Sequence, residues 1–276
     1  MRFDRRMLRC STLLLALSAC GENRTPAGAS PGPGVLGCLP DLDGQIEARE
    51  LAPALGASAS YLLSPADQPR SVDVAGAPDE GGRRVWDFTA NADDARVALG
   101  PRTIADRWYR ASFPGATFVT PVDRDGKIEG VYSADEGGVW LHGVASSDAA
   151  PPEGKTLLVY DRAVAVLRFP VTPERAWTET GRITSGTVQG LPYVGEDRYE
   201  VRVDGGGRVV LPDVEVTQAL RVRTLVTVTP AAGNPRTRRQ VQWMFECLGE
   251  VARVMSRDDE PAEDFTTALE VRRLGF

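Results

Sequence analysis

Val214–Thr229 reads VEVTQALRVRTLVTVT. Val214, Val216, Leu220, Val222, Val226 and Val228 share one parity, interrupted only by Gln218 and Thr224, while Glu215, Thr217, Arg221, Arg223, Thr227 and Thr229 hold the other. Alternation of this kind is the strand period, because successive side chains leave a strand on opposite faces. The stretch therefore predicts a long strand with one dry face and one wet face. Just before it, YEVRVDGGGRVVLP (Tyr199–Pro212) predicts a hairpin turning at Asp204–Gly207. Just after it, QVQWMFECLGEV (Gln240–Val251) alternates again and places Val241, Trp243, Phe245 and Cys247 on one inward face.

The same grammar extends upstream. In TFVTPVDRDGKIEGVYSADEGGVWLHGVAS (Thr117–Ser146), Asp125-Gly126 and Glu136-Gly137-Gly138 are the turns of a meander, flanked by RRVWDFTA (Arg83–Ala90) and TLLVYDRAVAVLRFPV (Thr156–Val171). Helix is confined to two short candidates, Ile46–Leu55 and Ile104–Phe113, the second stopped by Pro114-Gly115. The expected fold is mainly β: an antiparallel meander forming an open (half) barrel or a sandwich, with one or two short helices. Over Tyr61–Met255 this pattern is similar to the half-barrel lipoprotein-carrier and lipid-carrier folds of Gram-negative envelopes. The long amphipathic strands themselves predict an inward face, or an open sheet edge, that presents an apolar surface to a lipid or a partner envelope protein.

The amino terminus carries a different signal. Arg2, Arg5, Arg6 and Arg9 precede the apolar run Leu13–Leu17, the anatomy of a secretory signal peptide over residues 1–19. The run ends in Leu17-Ser18-Ala19-Cys20, which resembles the lipobox of bacterial lipoproteins. That resemblance implies cleavage between Ala19 and Cys20, a diacylglycerol on the Cys20 thiol and acylation of the new amino terminus. The membrane is then a partner, and two or more acyl chains hold a protein on it stably. Gly21 stands where inner-membrane lipoproteins often have aspartate, so the resemblance implies the outer membrane and a cell-envelope location. Residues 20–37 contain GENRTPAGASPGPGVLG, which has almost nothing to bury and reads as a lipidated flexible tether. Residues 38–276 read as a single β-rich domain.

Removing Met1–Ala19 takes away Arg2, Arg5, Arg6, Arg9 and Asp4; 32 basic and 38 acidic residues become 28 and 37, a net charge of −9. An acidic body disfavours nucleic acid as a partner. Of four cysteines, Cys10 is discarded with the signal and Cys20 is consumed by lipid. Cys38 and Cys247 are left in an oxidising compartment, where a disulfide is the first expectation, against two free buried thiols or half a metal site.

PDLDGQIEAREL (Pro40–Leu51) resembles the back half of an EF-hand calcium loop spanning residues 39–50. With Gly44 at the sixth position, Asp41, Asp43 and Glu50 fall on ligand positions, but the first falls on Leu39, which offers no side-chain oxygen. The competing expectation is an Asp-Gly turn into a short helix. His142 is the only histidine, no GxSxG is present, and DGGGRVV is followed by no helix to bind phosphate, so nothing names catalytic residues or a cofactor. A carboxylate-based hydrolase stays as an alternative, since spatial pairing of acids is invisible in sequence. The leading expectation is a non-catalytic binding or structural envelope lipoprotein, with calcium binding through Asp41, Asp43 and Glu50 as the other alternative.

Overall fold

A computed structural model describes residues 38–275. The expected signal peptide, the expected lipidation site Cys20 and the expected tether lie outside the described residues. The first elements are α1 (Ala48–Gly56), β1 (Ala59–Leu63), β2 (Arg70–Ser71), β3 (Ala77–Pro78), β4 (Arg84–Asp87), β5 (Ala95–Leu99) and β6 (Arg102–Thr103). The central strands are β7 (Phe118–Pro121), β8 (Ile128–Asp135), β9 (Gly138–Ser146), β10 (Leu157–Arg168) and β11 (Ala176–Val188). The longest, β12 (Leu191–Val210) and β13 (Glu215–Pro230), precede β14 (Arg236–Phe245), β15 (Gly249–Asp258), β16 (Thr267–Ala268) and β17 (Glu270–Leu274).

The main sheet runs β5-β1-β17-β15-β14-β13-β12-β11-β10-β9-β8-β7-β6. Neighbours pair antiparallel, as the meander predicts. The two ends of this order are separated in the chain only by Gly100 and Pro101. Three Cα steps reach at most about 11 Å, so the sheet must curl until its two edges nearly meet. Edge β5 does not pair with β6, and the barrel stays open.

The concave face holds the core of Leu141, Tyr160, Leu167, Trp177, Tyr199, Val201, Val222 and their neighbours, and α1 packs into it through Leu51. A second core lies on the other face, where Trp86, Phe88, Val74 and Phe265 cover Val241, Trp243 and Val254. The sheet is thus covered on both sides along β13–β15. This corrects the wet face expected of Val214–Thr229. Arg221 is only 4% exposed; its guanidinium bonds Asp204 at 2.7 and 3.0 Å and the Val74 carbonyl at 2.6 Å, and it lies over Trp86. The alternation also breaks once. Gly207 pairs with Ala219 and Val209 with Val216, so β13 carries an extra residue, and Val216 joins the convex core while Leu220 and Val222 face the concave one.

Asp204–Gly207 is not a hairpin turn. Both flanks pair with the same neighbour, Val203 with Val222 and Val209 with Val216, and β12 runs through. The glycines serve close approach instead: beyond the end of β11, β4 adds in parallel, pairing Arg84 with Gly207. A Cβ on Gly207 would lie 2.4 Å from the Arg84 carbonyl oxygen. Gly207→Val is expected to detach β4 and cost about 1–3 kcal/mol as overpacking does, read as a lowered urea midpoint and accelerated amide exchange in Arg84–Asp87. Unchanged exchange there would contradict the assignment.

Of the two helix candidates, the first forms. Glu47 and Glu50 close a capping box at its start, while Ile46 leaves the helix to bridge Val171. Ile104–Phe113 instead forms turns and a single 3₁₀ segment, Arg110–Ser112. Ile104, Tyr109 and Phe113 all dock over Val119 and Val131, and Tyr109 bonds Glu129, an arrangement a straight helix would not allow.

Candidate functional site

The two ends of the long strands differ in chemistry. At one end the segment after Cys38 is clamped. Cys38 and Cys247 form a disulfide, the Cys247 amide donates to the Glu50 carbonyl at 2.9 Å, and Ile46 and Val171 exchange two backbone bonds of 3.0 and 2.8 Å. Cys247 does not lie on a strand as expected. It occupies the β14–β15 turn with φ +65°, half-buried.

Two of the three expected metal-ligating residues meet at this clamp. The carboxylates of Asp41 and Asp43 lie within 4.8 Å of each other and of Glu246. Glu50 lies close by but outside this group of three, buried, its Oε2 accepting from the Glu47 amide at 2.9 Å. Burial, then the nearby charges of Glu50 and Asp41, push the Glu246 carboxyl up. The three acids are already acceptors: Glu246 from Leu42 N at 2.9 Å, Asp43 from Gln45 N and Nε2 at 2.9 Å each, and Asp41 from Asp43 N at 3.2 Å. Glu246 was missed in the sequence. The expected Cys38–Cys247 bridge was the signal that could have found it, because it brings the neighbours of Cys247 onto residues 39–43.

His142 sits at a bulge of β9, half-buried, with Nε2 2.8 Å from Ser133 Oγ. Burial holds its pKa below the ordinary value, so the ring is neutral near pH 7. Among the described residues no carboxylate bonds Nδ1, and the pair lacks the group that would orient a base.

The concave face is not uniformly apolar. On β14, β15 and β17, Glu250 accepts from Arg272 at 2.5 Å and Gln242 at 2.5 Å, and Arg253 donates to Glu270 at 3.0 Å. Although burial pushes the Glu250 carboxyl up, Arg272 and Arg253 hold it below its usual range. Tyr132 of β8 feels these same charges from across the curled sheet. Such a belt is poor lining for an acyl chain, because apolar groups cannot replace the hydrogen bonds these charges need. On the convex face a groove of about 370 Å³ is lined by Arg202, Arg223 and Arg239. All three already hold the Glu260–Asp264 loop or its carboxylates.

The other end of the long strands is apolar and open. Leu191 is 70% exposed and Val228 36%, on one face with the half-exposed Tyr193, while Val194, 50% exposed, leaves β12 on the other. From the Leu220–Met244 pair to the Val228–Arg236 pair is eight residues, about 26 Å of strand. The clamp and the apolar rim therefore stand at opposite ends of the β12–β14 sheet. No protein family, curated protein or solved structure matches the chain.

Proposed function

We propose that this protein is a lipid-anchored envelope module, attached to the outer membrane through Cys20, that holds a partner protein on the apolar rim of its long strands. The observation that carries this reading is the polarity of the body. Cys38, where the tether joins it, is fixed at one end, while Leu191, Val194 and Val228 are displayed at the far end. Leu191 and Val228 share a face with the half-exposed Tyr193, and apolar side chains grouped at a strand end mark an interaction surface more often than isolated ones do. A protein partner is favoured over a carried lipid because the concave face is filled by side chains near α1 and crossed by the Glu250–Arg272 and Arg253–Glu270 pairs.

The test is site-specific photocrosslinking of the full chain in its own host, with benzoylphenylalanine at Leu191 or, as a control at the clamped end, at the exposed Leu248. The expected result is a discrete protein adduct at 191 that is absent at 248, from a chain that fractionates with membranes and is released by Cys20→Ala. An adduct with only lipid mass, equal adducts at both positions, or a wild-type chain found wholly soluble would overturn the reading.

A further inference from the structure

Among the described residues, each buried carboxylate other than Asp197 takes an arginine or a backbone amide, Glu246 accepting from Leu42 and Glu50 from Glu47. Asp94 holds Arg70 and Arg273, Glu129 holds Arg107, and Glu270 holds Arg253. Asp197, 7% exposed, departs from the pattern. No guanidinium or ammonium lies within ion-pair distance among the described residues, and its Oδ1 is their only buried carboxylate oxygen without a hydrogen-bond partner. An unsatisfied buried acceptor costs free energy, and burial pushes this carboxyl up. A native structure that keeps such a group calls for an account of what meets it.

The surroundings are tyrosines. Tyr160 donates its hydroxyl to Asp197 Oδ2 at 2.6 Å, and Tyr199, 2.8 Å from the Tyr160 oxygen, donates into it in turn. Tyr193 lies over Gly195, its hydroxyl 2.7 Å from where a Cβ would be, on the same face of β12 as Asp197 and Tyr199. Directly across on β13 is Val228, part of the exposed rim, so the free oxygen is one side chain below the surface. Glu196 and Arg198 leave β12 on the other face.

We infer that Asp197 is the receptor for a primary ammonium group that enters between Val228 and the tyrosines. The unused oxygen lacks a donor, a positive charge beside it would favour the ionised carboxylate, and tyrosine faces attract cations. A primary ammonium supplies all three, whereas a quaternary one has no proton for Oδ1. Neither of the chain's two lysines provides it, since Lys127 pairs with Asp125 and Lys155 lies over Trp108. The group comes either from a lysine of the docked protein or from a small amine. The first source rests on the partner reading, and the site itself does not.

The test is NMR titration of the protein with n-butylammonium, tetramethylammonium and butanol, followed by N-acetyl-lysine amide and ethanolamine as surrogates for the two sources. n-Butylammonium is expected to give saturable shifts and ring-to-methylene NOEs at Tyr160, Tyr193 and Tyr199, with affinity about tenfold or more above the other two. Asp197→Asn, which keeps the shape and removes the charge, is expected to abolish them. Preference for the lysine amide assigns the site to a protein lysine, and preference for ethanolamine to a small amine. Absence of NOEs in the wild-type protein overturns the inference whether or not the variant folds, and so does equal binding by butanol or by Asp197→Asn. A Leu191 crosslink that persists without amine binding would remove this inference and leave the partner reading standing; amine binding without a crosslink would do the reverse.

Discussion

Asp94→Ala is expected to lower the unfolding free energy by about 3–5 kcal/mol, the range for removing one member of a buried ion pair. Asp94 binds two arginines at once, Arg70 at 2.7 Å and Arg273 at 2.8 Å, and the Asp94 and Arg273 side chains are 2% and 1% exposed. Arg273 also donates to the carbonyls of Ala90 and Asn91. This guanidinium ties the last described strand to the loop before β5. Truncating the acid leaves a charge that cannot reach water, which is why the loss exceeds the worth of the intact pair. Asp258→Ala is the control, because the Arg238–Asp258 pair is exposed on both sides and such pairs contribute less than about 1 kcal/mol. Urea denaturation of the two variants measures the contrast. Similar midpoints would show that Asp94 is not the keystone its contacts make it.

Loss of the Cys38–Cys247 bond ranks second. The bridge links residues 209 apart in sequence, and removal of a native disulfide typically costs about 2–5 kcal/mol, chiefly by freeing the unfolded chain. The folded state is expected to keep most of its order, because the Ile46–Val171 bonds and the packing of Leu51 hold α1 independently of the sulfurs. Reduction should therefore lower the denaturation midpoint and open Cys38–Gly44 to protease while amide protection in β12–β15 persists at low denaturant. Cys247→Ser should reproduce both effects and be insensitive to reductant. A midpoint unmoved by reductant would refute the expectation.

Much of the architecture was legible because strands advertise themselves by parity. The Asp125-Gly126 and Glu136-Gly137 turns, the meander they join and the helix after Gln45 all follow from local sequence. Legibility failed wherever a distant segment set the environment. Arg221 looks solvent-facing until Trp86 and Asp204 cover it. DGGG looks like a turn until β4 is seen to need the space that glycine leaves. The acids behave alike. Glu246 meets Asp41 and Asp43 only through the clamp, and Asp197 meets Tyr160 only because the tyrosine of β10 reaches over Gly181 of β11 to β12. Tyr193, Asp197 and Tyr199 share one parity on β12, a hint of a common face. What no periodicity carries is the absence of an arginine beside them.

The pairing of β1 with β17 has a consequence for how the chain is made. Tyr61 faces Leu274 and Leu63 faces Arg272 across the sheet, and Asp94 waits for Arg273. An emerging chain can build the β7–β10 meander from near neighbours. It cannot join β1 and β5 to the rest of the sheet, or give Asp94 its second arginine, until β17 has been synthesised. Contacts this remote slow folding, and here they hold the early segment uncommitted until the whole sequence is present. For the envelope role proposed above, which requires passage through a membrane in extended form, that delay is useful, since the β1–β5 pair has no sheet to join while β17 is still on the other side.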